Sequence, residues 1–203
     1  MKVTLKIVLL FMLCIVGNSH VLSAQSNYKI SDSKENDMKM SGTSTLHDWD
    51  MNARTVTGEA QFDIEEGSNN KLVALQSLTF SLVVLNMKSD NKGLDKNAYK
   101  ALKTNQYKNI SYKLGSAKIT PDKESQYLLN TLGSLTVAGV TKEIAMDVYC
   151  HINIDGSITC KGSYKLNMTD YQVIPPSFML GLMTTGESIT LNFNMVYKKQ
   201  AGL

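Results

Sequence analysis

The chain has 203 residues, with 21 Lys and Arg against 18 Asp and Glu and a hydrophobic fraction of 43%. This length fits one domain, the mixed charge argues against a disordered chain, and a net charge of +3 is too small for a nucleic-acid-binding face. With 3 prolines and 13 glycines, the composition also excludes collagen-like and proline-rich linker proteins. The composition is therefore typical of a soluble globular domain.

The first 24 residues are predicted to be a secretory signal that is removed from the mature chain. Two lysines precede an unbroken apolar run at 7–16, and small or polar residues follow up to Ala24. Such a run extends only about 15 Å as a helix, about half of a bilayer, which disfavours a membrane anchor. Cys14 lies inside the run rather than after it, which disfavours a lipoprotein. We therefore expect residues 25–203 to form one domain in the periplasm or outside the cell, with no transmembrane segment.

The mature sequence predicts mainly β-strands, because apolar and polar residues alternate with a period of two. The alternation is found at residues 56–64, 110–114, 144–152, 158–166 and 189–197. It also begins at 78–84, where apolar residues at 83, 85 and 87 make both faces of the predicted strand apolar. Several such strands joined by short turns predict an all-β domain, either a sandwich or an antiparallel barrel. The alternation alone does not choose between these two architectures.

One segment, residues 95–103, predicts a short helix between the strands. Asp95 is a favourable N-cap, and apolar residues follow at 98, 101 and 102. No repeat, low-complexity tract or linker composition divides the mature chain. We therefore expect a single domain that contains one short helix.

Cys150 and Cys160 remain after removal of the signal and are predicted to form a disulfide. Between them, residues 153–156 have the types expected of a type I turn followed by a left-handed glycine, as in a bulged three-residue hairpin loop. In that register the cysteines form a directly opposed, non-hydrogen-bonded pair, whose Cα atoms approach to about 4.5 Å. Two buried free thiols are the alternative. A two-residue Asp-Gly turn would shift the pairing by one residue.

Four segments of the sequence resemble the YceI-like proteins. The most specific is 133–144, Gly-Ser-Leu-Thr-Val-Ala-Gly-Val-Thr-Lys-Glu-Ile, which is similar to the family signature G-x-L-T-x-x-G-V-T-K-x-V. The others are 42–49, 170–176 and 101–112, where Lys108 stands in place of the usual proline. The resemblance implies a secreted, lipocalin-like antiparallel β-barrel of eight strands. It also implies that the barrel holds a polyisoprenoid or other long-chain lipid in an apolar bore.

The inward faces of the predicted strands supply the candidate ligand-binding residues of such a bore. Each occupies an apolar position in the alternating pattern of its strand. They are Phe62, Phe80, Leu82, Val84, Tyr112, Leu114, Val137, Met146, Val148 and Phe193. An eight-stranded barrel either fills with its own side chains or holds one slender ligand. A buried lipid chain would be stabilised by about 0.8 kcal/mol per CH₂. A dry core is the alternative, and the family resemblance favours the bore.

The uncharged segment between Pro175 and Gly186 is predicted to be a lid at one mouth of the barrel. Two prolines oppose regular strand pairing at its start, and its glycines permit turns. Its large apolar residues are too many for an ordinary solvated loop and are expected to cover apolar surface: Phe178, Met179, Leu180, Leu182 and Met183. Methionine can repack around variable chains. A plug that closes the barrel permanently is the alternative.

The sequence contains no motif that predicts catalysis, a metal site or a bound cofactor. His47 and Asp48 are consecutive, and consecutive residues on a strand point to opposite faces. No nucleophile elbow, metal-spaced cluster or phosphate loop occurs. We therefore predict a binding protein with no nucleic-acid partner. The alternatives are a barrel-cavity enzyme that uses His47 or Tyr171 on a lipophilic substrate, and a structural or partner-binding β-domain with a filled core. The oligomeric state is left open, a homodimer included.

Overall fold

The computed structural model describes residues 24–53, 55–67, 70–123, 126–178 and 182–200. The predicted signal lies outside these residues except for Ala24. The strands are β1 (Ala24–Ile30), β2 (Asp37–Ser44), β3 (Trp49–Ala53), β4 (Val56–Glu65), β5 (Lys71–Val83), β6 (Met87–Lys88), β7 (Asn109–Pro121), β8 (Gln126–Val137), β9 (Val140–Ile152), β10 (Ile158–Asn167), β11 (Ser177–Phe178) and β12 (Met183–Lys199). Helix α1 spans Lys92–Ala101, and short 3-10 helices span Val84–Asn86 and Met168–Tyr171.

Eight of the strands close into an antiparallel barrel. Their hydrogen-bonded order is β1-β4-β5-β7-β8-β9-β10-β12, and β12 pairs again with β1, where Tyr28 lies opposite Lys199. The earlier part of β12, residues 185–194, pairs instead with β2, from which the sheet continues to β3 and β6. The predicted all-β fold is therefore confirmed, and of its two architectures the structure is the barrel.

The alternating pattern of each strand directs its apolar side chains into the barrel. On β4, Phe62 is fully buried, and its ring contacts those of Tyr28 and Tyr197 edge-to-face, with centroids 5.3 and 5.8 Å apart. These three rings come from β4, β1 and β12, the strands that meet where the barrel closes. The aromatic cluster of Tyr28, Phe62 and Tyr197 therefore holds the closure together.

Helix α1 begins four residues earlier than its predicted N-cap implies, so the predicted N-cap is wrong. Asn91 is the N-cap, and its Oδ1 accepts hydrogen bonds from the N–H groups two and three residues later, at 2.8 and 3.2 Å. Asp95 lies inside the first turn, where its carboxylate accepts hydrogen bonds from the backbone N–H and hydroxyl of Ser89 at 2.8 and 2.7 Å. Asn and Asp cap helices about equally well, so the cap residue type alone does not fix the start.

The hairpin between β9 and β10 carries the disulfide that its turn sequence predicts. The Asn153 N–H donates to the Ser157 carbonyl at 2.8 Å, and Gly156 has a φ of +79°, as in the three-residue loop. Cys150 lies directly opposite Cys160 with the Cα atoms 4.2 Å apart, and their sulfurs are bonded. The predicted register and bridge are present, and the free-thiol alternative does not apply.

Replacing both cysteines, Cys150→Ala with Cys160→Ala, is expected to lower the free energy of unfolding by about 2–3 kcal/mol, because the cross-link restricts the unfolded chain. Urea unfolding followed by circular dichroism measures the change. As a control, reductant should destabilise the wild type and leave the double variant unchanged. Alkylation of both thiols in the wild type without reductant would contradict the bridge.

The segment that resembles the family signature forms the tight turn between β8 and β9. Ala138 and Gly139 have positive φ angles of +47° and +82°, which is typical of a two-residue type I′ hairpin turn. A Cβ at Gly139 would collide with the ring of Tyr107, which follows α1 in the chain. The turn therefore needs glycine for its backbone conformation and also for its close approach to an aromatic ring.

Gly139→Ala is accordingly expected to cost about 1–3 kcal/mol of unfolding free energy, because backbone strain adds to the clash with Tyr107. Gly156→Ala is the matched control, since Gly156 also has a positive φ but a Cβ added there would meet no atom within 4 Å. Thermal and urea unfolding of both variants measure the difference. Equal losses at the two glycines would contradict the packing role of Tyr107.

Candidate functional site

The barrel interior contains a cavity of about 200 Å³. Its wall is formed by inward side chains of β5, β7, β8, β9, β10 and β12, by β2, β3 and β6, and by Leu94, Ala98 and Ala101 of α1. The wall is almost wholly apolar, and none of its described residues carries a charged side chain. Apolar cavities of about 150 Å³ accept small hydrocarbons such as benzene, so this cavity can hold the apolar part of a ligand.

Eight of the ten predicted bore residues lie in the cavity wall: Phe80, Leu82, Tyr112, Leu114, Val137, Met146, Val148 and Phe193. Phe62 and Val84 are buried but do not line the cavity. Phe62 packs in the aromatic cluster, and Val84 lies in a 3-10 helix that begins where β5 ends. The alternation of β5 therefore does not extend to Val84. The role of the eight residues in ligand binding stays a prediction.

Methionines are the wall residues that the sequence analysis missed. Every methionine whose side chain is described lines the cavity: Met38, Met40, Met51, Met87, Met146, Met168 and Met195. Only Met146 was among the predicted bore residues. On β2, small and polar residues at 41–44 end the alternation after Met40, and β3 and β6 have only five and two residues. The signals that could have found them are the high methionine count, 11 in the chain, and the apolar position of Met195 in the alternating strand 189–197. Their flexible thioether chains let the wall adapt to a ligand's shape.

Several hydroxyl-bearing residues belong to this apolar wall: Tyr112, Thr131, Tyr164, Tyr171, Thr185 and Tyr197. Tyr112 is 8% exposed, and its ring leans over Gly133 of β8, where a Cβ would collide with it. Thr131 is also buried and donates a hydrogen bond to the Met146 carbonyl at 2.8 Å. Burial raises the pKa of Tyr112, and the nearby Thr131 hydroxyl opposes the shift without reaching hydrogen-bonding geometry. Within the described residues, the Tyr112 hydroxyl has no hydrogen-bond partner.

The residues considered for catalysis are not assembled into a reactive site. His47 is exposed in the loop between β2 and β3, outside the cavity wall, and its Nδ1 lies 2.8 Å from the Asp48 carbonyl oxygen. Tyr171 lines the cavity, and burial, with smaller effects of Tyr164 and Asp170, raises its pKa to about 12. A phenol with this pKa is protonated at neutral pH, so it is a poor general base. His47 and Tyr171 therefore do not share one site.

The predicted lid segment is described only in part. Met179 and Leu180 lie outside the described residues, and only the backbone is described for Phe178 and Met183, which pair across β11 and β12. Leu182 is 78% exposed, so the expectation that it covers apolar surface does not hold in this structure. The lid itself stays a prediction.

Comparison with known protein families identifies the domain. The family model of the YceI-like domain matches residues 25–197. The chain belongs to the YceI-like family. The resemblance seen in the signature at 133–144 is therefore confirmed. No curated protein matches this YceI-like sequence significantly.

Solved structures share the fold of this YceI-like protein at low sequence identity. BcnA from Burkholderia cenocepacia is 13% identical with a TM-score of 0.64, over 82% of this chain and 98% of that one. A polyisoprenoid binding domain from Saccharophagus degradans is 9% identical with a TM-score of 0.61, over 87% and 100% of the two chains. A YceI protein from Campylobacter jejuni is 18% identical with a TM-score of 0.51, over 71% and 82%. At these identities the likeness establishes the fold.

Proposed function

We propose that this YceI-like protein binds a polyisoprenoid or a similar long-chain lipid in the barrel cavity and carries, stores or sequesters it without catalysis. The observation that carries the proposal is a cavity of about 200 Å³ whose wall is apolar and free of charge among the described residues. Membership of the YceI-like family supports it, as does the fold shared with a polyisoprenoid binding domain.

Burial of the chain supplies the affinity in this proposal. A five-carbon isoprenoid unit would contribute about 4 kcal/mol at about 0.8 kcal/mol per carbon, before the cost of association. The cavity is only somewhat larger than the cavities of about 150 Å³ that accept benzene. A long chain therefore enters only if the methionine-rich wall repacks around it, or if part of the chain stays outside the barrel.

We also propose that the protein acts in the periplasm or outside the cell, with residues 25–203 as its mature domain. The Cys150–Cys160 disulfide supports this location independently of the signal sequence, because disulfides persist in oxidising compartments. Among the residues described, no helix is long and apolar enough to cross a membrane.

Competitive binding tests the proposed function. The mature protein, freed of lipid by organic extraction and refolded with its disulfide intact, is titrated with the fluorescent apolar probe N-phenyl-1-naphthylamine and then with geranylgeraniol. We expect saturable probe binding and full displacement by the isoprenoid alcohol, with a Kd of about micromolar or tighter. Probe binding that geranylgeraniol does not displace, or the absence of saturable binding, would contradict the proposal.

A further inference from the structure

We propose that the lysine-rich outer face of helix α1 is a docking surface for the headgroups of an anionic lipid bilayer. The inference goes beyond the proposed binding of a lipid in the cavity, because it names the surface through which the protein meets a membrane. It does not depend on what the cavity holds, so the two proposals are tested separately.

Positive charge is concentrated in one segment of the chain, residues 88–108, which contains α1 and is called here the α1 segment. It has six lysines and two aspartates, a net charge of +4, whereas the rest of residues 25–203 has 13 Lys and Arg against 16 Asp and Glu. One of the two aspartates, Asp95, is 9% exposed, and its carboxylate accepts hydrogen bonds from Ser89. The outer surface of the α1 segment is therefore basic on a domain that is otherwise slightly acidic.

Three of these lysines form a ridge on the side of α1 that faces away from the barrel. Lys92, Lys96 and Lys100 recur every fourth residue, so they lie on one face of the helix, and all three are exposed. Leu94 and Ala98, on the opposite face, line the cavity. Among the described residues, no carboxylate forms a salt bridge with the ridge. Like charges four residues apart on a helix repel each other, and an anionic surface relieves that repulsion.

Exposed apolar side chains flank α1 on both sides along the chain. Leu85 is 51% exposed, and it lies beside the helix because its carbonyl oxygen is 3.2 Å from the Tyr99 hydroxyl. Tyr107 is 38% exposed, and its N–H donates to the Lys103 carbonyl just after the helix at 3.0 Å. Lysines next to aliphatic and aromatic side chains are typical of surfaces that bind the membrane interface, where the charges meet headgroups and the apolar groups reach the acyl boundary.

The α1 segment lies at the end of the barrel to which the cavity extends. It joins β5 to β7 where Val83 pairs with Asn109, and the turn at Gly139 between β8 and β9 is at the same end. The cavity wall includes α1 and also Pro176, in the segment that leads into β12. A bilayer bound to α1 is therefore next to the end of the barrel that the cavity reaches.

Acidic residues at this end restrict the approach of an anionic bilayer to the α1 side. Asp48 lies in the β2–β3 loop, Asp170 in the 3-10 helix that follows β10, and Glu187 early in β12. All three are exposed, and within the described part of the chain none forms a salt bridge with a lysine of α1. The bilayer therefore meets the barrel end through the α1 segment.

Flotation with lipid vesicles tests this docking surface. The purified protein, with its disulfide intact, is mixed with vesicles of phosphatidylcholine alone or with vesicles in which about a third of the lipid is phosphatidylglycerol. We expect the anionic vesicles to bind the protein at least about tenfold more tightly than the neutral ones, and about 0.5 M salt to release it by screening. The triple variant Lys92→Gln, Lys96→Gln, Lys100→Gln should bind the anionic vesicles about tenfold or more weakly than the wild type.

Two further triple variants control for net charge and for damage to the helix. The first removes the same charge from exposed positions on β7 and β10 and should bind within about twofold of the wild type: Lys113→Gln, Lys118→Gln and Lys161→Gln. The second keeps the charge of the ridge and should bind as the wild type does: Lys92→Arg, Lys96→Arg and Lys100→Arg. The glutamine variant of the ridge should not have a lower Tm than the wild type, because it relieves repulsion.

Three results would overturn the inference: equal binding to neutral and anionic vesicles, equal losses in the two glutamine variants, or no binding to the anionic vesicles. Binding to poly-glutamate without binding to the vesicles would overturn it in favour of an acidic protein partner. None of these results bears on the displacement of N-phenyl-1-naphthylamine by geranylgeraniol, which tests the cavity alone.

Discussion

Met146→Lys should abolish retention of a hydrophobic lipid, with a loss of affinity for geranylgeraniol of about a hundredfold or more. Met146 lies on β9 in the cavity wall, and no described wall residue is acidic. The lysine ammonium would therefore have no partner once a lipid displaced the water around it. An unpaired charge in such a site costs several kcal/mol, which is comparable with the burial of one isoprenoid unit and enough for a hundredfold loss of affinity. Competitive displacement of N-phenyl-1-naphthylamine measures the effect.

Ala145→Lys is the matched control for this variant. Ala145 is the preceding residue on β9 and is exposed on the outside of the barrel, so the same charge should leave the Kd within about twofold of the wild type. Leu191→Trp removes space from the cavity without adding charge and should also weaken binding. Wild-type affinity in folded Met146→Lys and Leu191→Trp proteins would contradict the cavity as the lipid site.

Phe62→Ala should lower the free energy of unfolding by about 3–5 kcal/mol, the largest stability loss we expect for a single substitution. Phe62 has 0% exposure and joins Tyr28 and Tyr197 at the closure of the barrel. Its removal leaves a void among strands β1, β4 and β12 and also removes two edge-to-face ring contacts. Urea unfolding gives the loss directly.

Phe80→Ala is the control that separates the loss of the aromatic cluster in Phe62→Ala from the destabilisation caused by truncating any phenylalanine. Phe80 is only half-buried and faces the existing cavity, so its truncation enlarges a space that is already present. We expect a smaller loss, about 1–3 kcal/mol. Losses at Phe62 no larger than at Phe80 would contradict the role of the aromatic cluster in closing the barrel.

Features that depend on neighbouring residues were predictable from the sequence. The alternation of β9 and β10 and the turn at 153–157 predicted the register that places Cys150 opposite Cys160, because a hairpin is specified locally. The start of α1 was not predictable in the same way. Asn91 and Asp95 are both good N-caps. In the structure Asn91 caps the helix, because the Asp95 carboxylate accepts hydrogen bonds from the backbone N–H and hydroxyl of Ser89 instead.

Features that depend on contacts between distant segments were not predictable. The alternation assigned Phe62 to the inside of the barrel, but only the pairing of β1 with β12 shows that it closes the barrel instead of lining the cavity. Met38, Met40 and Met51 were missed because small and polar residues end the alternation of β2 after Met40, and β3 has only five residues. Tyr112 was predicted as a bore residue, yet the close packing of its ring on Gly133 depends on the pairing of β7 with β8.

Organic extraction and mass spectrometry of the protein purified from its native compartment test the central claim most directly. The protein is isolated without detergent, washed on the column, and extracted beside equal amounts of Met146→Lys and Ala145→Lys. We expect the wild type and Ala145→Lys to carry an isoprenoid or other long-chain lipid in near-stoichiometric amount, and Met146→Lys to carry almost none. Wild-type protein that carries no lipid and takes up none from an isoprenoid-loaded membrane extract would contradict the account.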